Sequence, residues 1–166
     1  MSTNPNERPI EKEPYYHGWL PRKDLNEMLL ADGDFAIRAT RNGTDNEKMN
    51  CLTVVVDSKA TDEFKKNRHI AIWKDKNTGK YFARTTSPRC GTIPELLEGY
   101  VNTNEPIYVG STGEPAFLKQ PINRKYWELE HDSITILTVL GKRPNGNLSM
   151  GIYCGERRFR WRDKCK

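Results

Sequence analysis

The 166-residue sequence predicts an α+β fold: a central antiparallel sheet flanked by two helices, followed by a short C-terminal β-hairpin. Three observations predict it. Apolar residues recur at spacings of three and four in two separate stretches, Leu25-Met28-Leu29 and Ile93-Leu96-Leu97-Tyr100. Between them lie short β-branched and apolar runs, of which Leu52-Thr53-Val54-Val55-Val56 is the strongest. Turn-forming residues separate those runs, and helix, several antiparallel strands, then helix is a two-layer arrangement around one sheet.

Taken in order, residues 1–14 carry Pro5, Pro9 and Pro14 among charges without periodicity and read as a disordered leader. Pro21 opens the first helix, and Asp32-Gly33-Asp34 ends it. Phe35 to Thr40 is a strand, and Arg41 to Asn50 a polar loop. Leu52 to Val56 reads as a buried strand, followed by a charged loop. His69 to Trp73 is a further strand, turned by Lys76-Asn77-Thr78-Gly79 into Lys80 to Arg84. Thr92 is placed to cap the second helix, which runs to Val101.

Composition excludes several classes. The longest apolar runs are too short to cross a bilayer, and the polar N-terminus has neither a secretory signal nor the glycine needed for myristoylation. The expectation is a soluble, cytoplasmic, monomeric protein. Of the formal net charge of +5, four units sit in the basic tail, residues 155–166, with six basic and two acidic groups; the first 154 residues hold 21 basic against 20 acidic. Phosphate-driven nucleic-acid binding needs a broad basic face, so no nucleic-acid partner is expected. The four cysteines and three histidines are scattered without close pairs, which predicts no metal, no cofactor and free thiols.

One polar residue is out of place. Arg38 ends the apolar stretch Phe35-Ala36-Ile37, and strand alternation puts it on one face with Thr40. A partly buried, unpaired guanidinium costs several kcal/mol, so it calls for an internal carboxylate or an anionic ligand. Arg22 in the first turn of the preceding helix, Thr40, the loop Arg41-Asn42-Gly43-Thr44, and His69 favour the ligand. Two arginines, a hydroxyl, a glycine-containing loop and a histidine suit a phosphate dianion.

At these residues the sequence resembles the Src-homology-2 domain family, readers of phosphotyrosine peptides. Tyr15-Tyr16-His17-Gly18-Trp19-Leu20-Pro21-Arg22 is similar to the family's opening, and Gly33-Asp34-Phe35-Ala36-Ile37-Arg38-Ala39-Thr40 to its G-[DT]-F-L-V-R-E-S core. Arg68-His69-Ile70 matches the stretch bearing its histidine, and Ile93 to Tyr100 its second helix. The resemblance covers residues 15–121 and implies the Src-homology-2 fold, with tyrosine-phosphorylated proteins or peptides as partners. It further implies that Arg38 pairs bidentately with the phosphate, Arg22 clamps it, Thr40 and the loop with Arg41 donate hydrogen bonds, and His69 organises the wall. Ile70, on the opposite face, would line a pocket for apolar residues after the phosphotyrosine; core packing is the competing reading. Ala39 and Ala36 depart from the family pattern, and Ala71 stands where many members have a pocket lysine. Weak affinity follows, with Arg41 and Arg68 available to compensate or simply solvated.

Residues 122–154, with Ile122-Asn123 after Pro121, then Tyr126-Trp127 and Ile134 to Gly141, resemble the linker and kinase N-lobe start of the Fes/Fer group of non-receptor tyrosine kinases. Gly141 and Gly146 keep the outer glycines of a kinase loop, but Arg143 and Pro144 occupy its middle. No V-A-I-K, H-R-D or D-F-G stretch follows, so catalytic residues are expected to be absent. The expected function is a non-catalytic phosphotyrosine-binding module, an adaptor or competitor in tyrosine-kinase signalling, recruited to the inner face of the plasma membrane through its partners. The alternatives are a fragment or isoform of a Fes/Fer-like kinase, and a decayed domain that no longer reads phosphate.

Overall fold

The computed structural model describes residues 8–44, 46–110, 113–125, 128, 134–143 and 146–153. The chain divides into two compact units, residues 1–124 and 125–166.

In the first unit the order is helix α1 (Arg22–Met28), strands β1 (Asp34–Arg41) and β2 (Lys48–Val55), a one-turn helix α2 (Glu63–Lys66), strands β3 (Asn67–Lys74) and β4 (Tyr81–Phe82), and helix α3 (Ile93–Thr103). Three two-residue strands follow: β5 (Tyr108–Val109), β6 (Pro115–Ala116) and β7 (Gln120–Pro121). The main sheet has the order β4-β3-β2-β1-β7, antiparallel except for the parallel β1–β7 pair. Residues 15–18 also run along β1: Ile37 N–H donates to the Tyr15 carbonyl, His17 N–H to that of Ile37, and Ala39 N–H to that of Gly18. β1 is thereby bonded on both sides along its length.

Alternation divides the sheet into two faces. Phe35, Ile37, Ala39, Leu52, Val54, Ile70 and Ile72 point to one side, where Ile93, Leu96, Leu97 and Tyr100 of α3 complete the main core. On the other side Leu25 and Leu29 pack on Ala36 and Val55. Each helix thus covers one face, as the two apolar stripes predict. The α3 start is closed by a reciprocal cap: Glu95 N–H donates to Thr92 Oγ1 at 3.3 Å, and Thr92 N–H donates to the Glu95 carboxylate at 3.2 Å.

Several elements differ from the sequence expectation. β2 begins at Lys48, inside the stretch read as a loop, because Lys48-Met49-Asn50 continue the ladder opposite Arg41-Thr40-Ala39 where that end of the sheet meets solvent. The hairpin strand after β3 shortens to Tyr81–Phe82, because Asp75 accepts N–H bonds from Asn77 and Thr78 and closes a wider turn. The leader must also be corrected. Residues 1–7 lie outside the described residues, but 8–14 are packed: Ile10 is 6% exposed in the main core and anchors a 3-10 turn at Ile10–Lys12. Arg8 ties this turn to Glu13 and, at 2.7 Å, to Glu98 of α3. The basic tail lies outside the described residues.

The second unit is described by strands β8 (Ile134–Arg143) and β9 (Gly146–Tyr153), an antiparallel hairpin with register shifts at Ile136/Thr138 and Val139/Gly141. It is the hairpin expected after the domain. A two-stranded ribbon has no second layer, and Ile136, Leu137, Leu140 and Ile152 remain exposed.

Because Ile10 belongs to the core, Ile10→Ala should lower the unfolding free energy by about 2–3 kcal/mol in urea denaturation. A detached leader would give no measurable change.

Candidate functional site

The site follows from strand register and from where α1 packs on the sheet. Across the sheet, Arg38 of β1, Cys51 of β2 and Ala71 of β3 form one row, and Ala36, Thr53 and His69 the next. The apolar cluster under α1 takes in Ala36 and Val55 but not Arg38, which is left half-buried. Among the described residues no carboxylate pairs with Arg38. Its Nε is buried without a hydrogen-bond partner, and Nη1 reaches only the Ala39 carbonyl, at 3.5 Å.

His69 stands on the same face, two strands across and in the neighbouring row. Its Nδ1 lies 2.9 Å from Thr53 Oγ1, while Nε2 is buried without a hydrogen bond, 3.9 Å from Glu63 Oε1. When Thr53 donates to Nδ1, the ring hydrogen sits on Nε2 and lacks an acceptor. Burial, reinforced by Arg22 and Arg38 and opposed by Glu63, lowers the His69 pKa to about 4. Cys51, 8% exposed, has its thiol pKa raised by burial, against the pull of the same two guanidiniums. Both arginines are thus near enough to act electrostatically on His69 and Cys51.

Arg22, the first residue of α1, is engaged by α2. Its Nε lies 2.7 Å from Glu63 Oε1, an ion pair without hydrogen-bond alignment, and its guanidinium carbon is 5.4 Å from the Phe64 ring centre. Thr40 is two residues beyond Arg38 on the same face, half-buried. Arg41 falls on the opposite face by alternation, and its guanidinium lies 5.5 Å from the Trp19 ring centre, with Nη1 donating to the Asn46 carbonyl at 3.4 Å. Ile70 is a core residue, 6% exposed among Leu52, Ile72 and the α3 stripe, so it presents little surface to a ligand. Arg68 is occupied by Glu114 at 3.0 Å and by the Phe64 carbonyl.

The structure therefore brings Arg22, Arg38 and His69 together, keeps Thr40 on their face, and turns Arg41 and Ile70 elsewhere. Sequence reasoning missed Glu63, Phe64 and Thr53. Asp62 before Glu63-Phe64 was the available signal, since its carboxylate accepts N–H bonds from Phe64 at 2.7 Å and Lys65 at 3.3 Å and starts α2. Thr53, fully buried in a β-branched run, was marked only by being its one hydroxyl.

An arginine without a carboxylate partner among the described residues, on a sheet with a helix on each face, is chemically suited to an anion, and the comparison with known families gives the class of the domain. The SH2 domain family matches residues 15–100, more than half of the chain, and the chain belongs to that family. SH2 domains bind phosphotyrosine peptides in signalling. The chain is 32% identical over 140 residues to Fer-related kinase 1 of Caenorhabditis elegans, covering 84% of this chain and 33% of that protein. It is 30% identical over 146 residues to tyrosine-protein kinase Fer of Mus musculus, covering 87% and 16%, and 27% identical over 145 residues to spermatocyte protein spe-8 of C. elegans, covering 87% and 25%. The chain thus spans a third or less of these relatives. The solved structure of CED-2 aligns with a TM-score of 0.45 at 14% identity over 84% of this chain and 79% of that one. Among the described residues no helix is long and apolar enough to cross a membrane.

The lowered His69 pKa has a signed consequence. The neutral ring is favoured in the folded state, so its contribution is complete above the unfolded value of about 6.5 and is lost as pH falls toward 4. Unfolding free energy should drop by about 2 kcal/mol between pH 7 and pH 5. Urea titrations of wild type and His69→Gln at both pH values measure it, and the variant should lose most of that drop.

Proposed function

We propose that this chain is a phosphotyrosine-peptide-binding module that acts by binding alone, as an adaptor or competitor in tyrosine-kinase signalling. It works as a cytoplasmic monomer brought to the inner face of the plasma membrane by its partners. One observation carries the reading. Arg38 is half-buried on the sheet face with a buried, unpartnered Nε, beside Arg22 and a histidine held neutral. A phosphate dianion supplies what that arrangement lacks: negative charge and several acceptor oxygens.

In this reading Arg38 forms the two-pronged contact with the phosphate, for which a planar fork is suited. Arg22 closes on it from α1, the Thr40 hydroxyl donates from the same face, and His69 Nε2–H donates from the wall. Arg41, stacked on Trp19, contributes at the rim through charge. The phosphorylated side chain must be long enough to reach Arg38, which favours tyrosine over serine. The peptide residues after the phosphotyrosine would have to reach the opposite side of the sheet to meet Ile70, which offers only its small exposed fraction.

A second reading has its own support. The similarity to Fer relatives extends over 84–87% of the chain, beyond the residues matched by the SH2 family. On that reading the chain is a fragment or isoform of a Fes/Fer-like kinase, and its socket serves the larger protein. An assay of phosphate transfer from ATP separates the two, and the binding-only reading requires no transfer.

A degenerate peptide library with one fixed phosphotyrosine, compared with the same library carrying tyrosine, tests the proposal by calorimetry. The phosphorylated library should bind and the unmodified one should not; equal affinities overturn it. Arg38→Ala should weaken binding by about 2–5 kcal/mol, roughly 30- to several-thousand-fold in dissociation constant. Arg38→Lys should fail as well, because one ammonium replaces the fork.

A further inference from the structure

We infer that Glu63 of α2 is a built-in competitor for the socket, neutralising Arg22 while the socket is empty and giving way when a phosphate dianion enters. The inference rests on the phosphotyrosine-binding reading above and assigns a regulator of that same site.

Arg22 opens α1 and Glu63 opens α2, and the whole of β1 and β2 separates them in sequence. Their 2.7 Å approach is therefore a product of the fold. The same carboxylate oxygen is 3.9 Å from His69 Nε2, so Glu63 stands between two of the groups that a phosphate would contact. The next residue strengthens the hold. Phe64 is 74% exposed, so burial does not account for its position; its ring instead lies against the Arg22 guanidinium, 5.4 Å from centre to carbon. Two consecutive residues of a single-turn helix thus grip one arginine.

The grip is built to be weak. Arg22 and Glu63 side chains are 38% and 47% exposed, and the Nε–Oε1 contact lacks hydrogen-bond alignment. Pairs this exposed hold loosely. A dianion presents twice the charge and more acceptor oxygens to the same guanidinium, with Arg38 attracting it from below. Glu63 lowers affinity whether it swings away, breaking its pair, or stays and repels the incoming charge. A socket with this competitor answers to a doubly charged phosphate and is shielded from single carboxylates of neighbouring acidic chains.

The test is an NMR titration of the full chain with phenyl phosphate, with phenol as control, for wild type, Glu63→Gln, Arg22→Gln and the double variant. Glu63→Gln leaves the α2 cap intact, because Asp62 supplies it. It should tighten phenyl phosphate binding about twofold to fivefold, the range for an exposed pair. The gain should vanish in the Arg22→Gln background. Unchanged or weaker binding by Glu63→Gln, or an equal gain without Arg22, overturns the competitor while leaving the phosphotyrosine reading standing. Wild type binding phenyl phosphate no better than phenol overturns both.

Discussion

The molecule is organised around a guanidinium that the fold declines to neutralise. Arg38 sits in the strand that is hydrogen-bonded on both sides, by β2 on one and by residues 15–18 and β7 on the other. Its backbone cannot shift to carry the charge out to water. A half-buried cation without a counter-ion is unfavourable, and a second arginine nearby makes it more so. Such an arrangement survives only where the remaining core supplies the stability, and here the opposite face of the sheet does so. Ile37, Leu52, Val54, Leu96 and Leu97 are all at or below 1% exposure. Cohesion is concentrated on the α3 side, and the unmatched charge is left on the α1 side.

The junction between α1 and β1 fixes where the helix lies on that side. The Asp34 carboxylate accepts N–H bonds from Leu30 at 3.0 Å and Ala31 at 2.8 Å, stopping α1 after seven residues and setting the chain at the start of β1. Gly33 makes the turn with φ of +89°, and a side chain there would come within 3 Å of the Lys119 stem. The same glycine carbonyl accepts the Lys119 and Gln120 N–H groups, so the turn also seats β7. The C-terminal end of α1 is thereby held at the start of β1, and its first residue, Arg22, lies at the other end, on the side of the Arg38 row.

Much of this was legible in the sequence because it is periodic. Leu25 and Leu29, and Ile93, Leu96, Leu97 and Tyr100, announce their helices by spacing, and the position of Arg38 beside Thr40 follows from alternation alone. What was not legible depends on tertiary contact. Ile10 is a lone apolar residue between charges, and nothing local says that it reaches the core. Glu63 and Phe64 gain their meaning only from Arg22, some forty residues away in the chain. Arg41 shows the converse. Its chemistry suited a phosphate loop, but period two turns it away from Arg38, and the Trp19 ring holds it there.

The charge inventory of the socket argues for discrimination ahead of raw affinity. The Arg38 row continues through Cys51, whose thiol is kept neutral by burial, and Ala71, which brings no charge. His69 is held neutral in the next row, and Arg22 is matched by Glu63. Among the described residues of these rows, one full positive charge is therefore left uncompensated, on a strand hydrogen-bonded on both sides. A ligand gains most by placing its charge there, since Arg22 must first give up Glu63, while His69 and Thr40 offer N–H and O–H donors without charge. Orientation without excess charge rewards a group that matches the geometry of a guanidinium fork and gives little to an arbitrary anion.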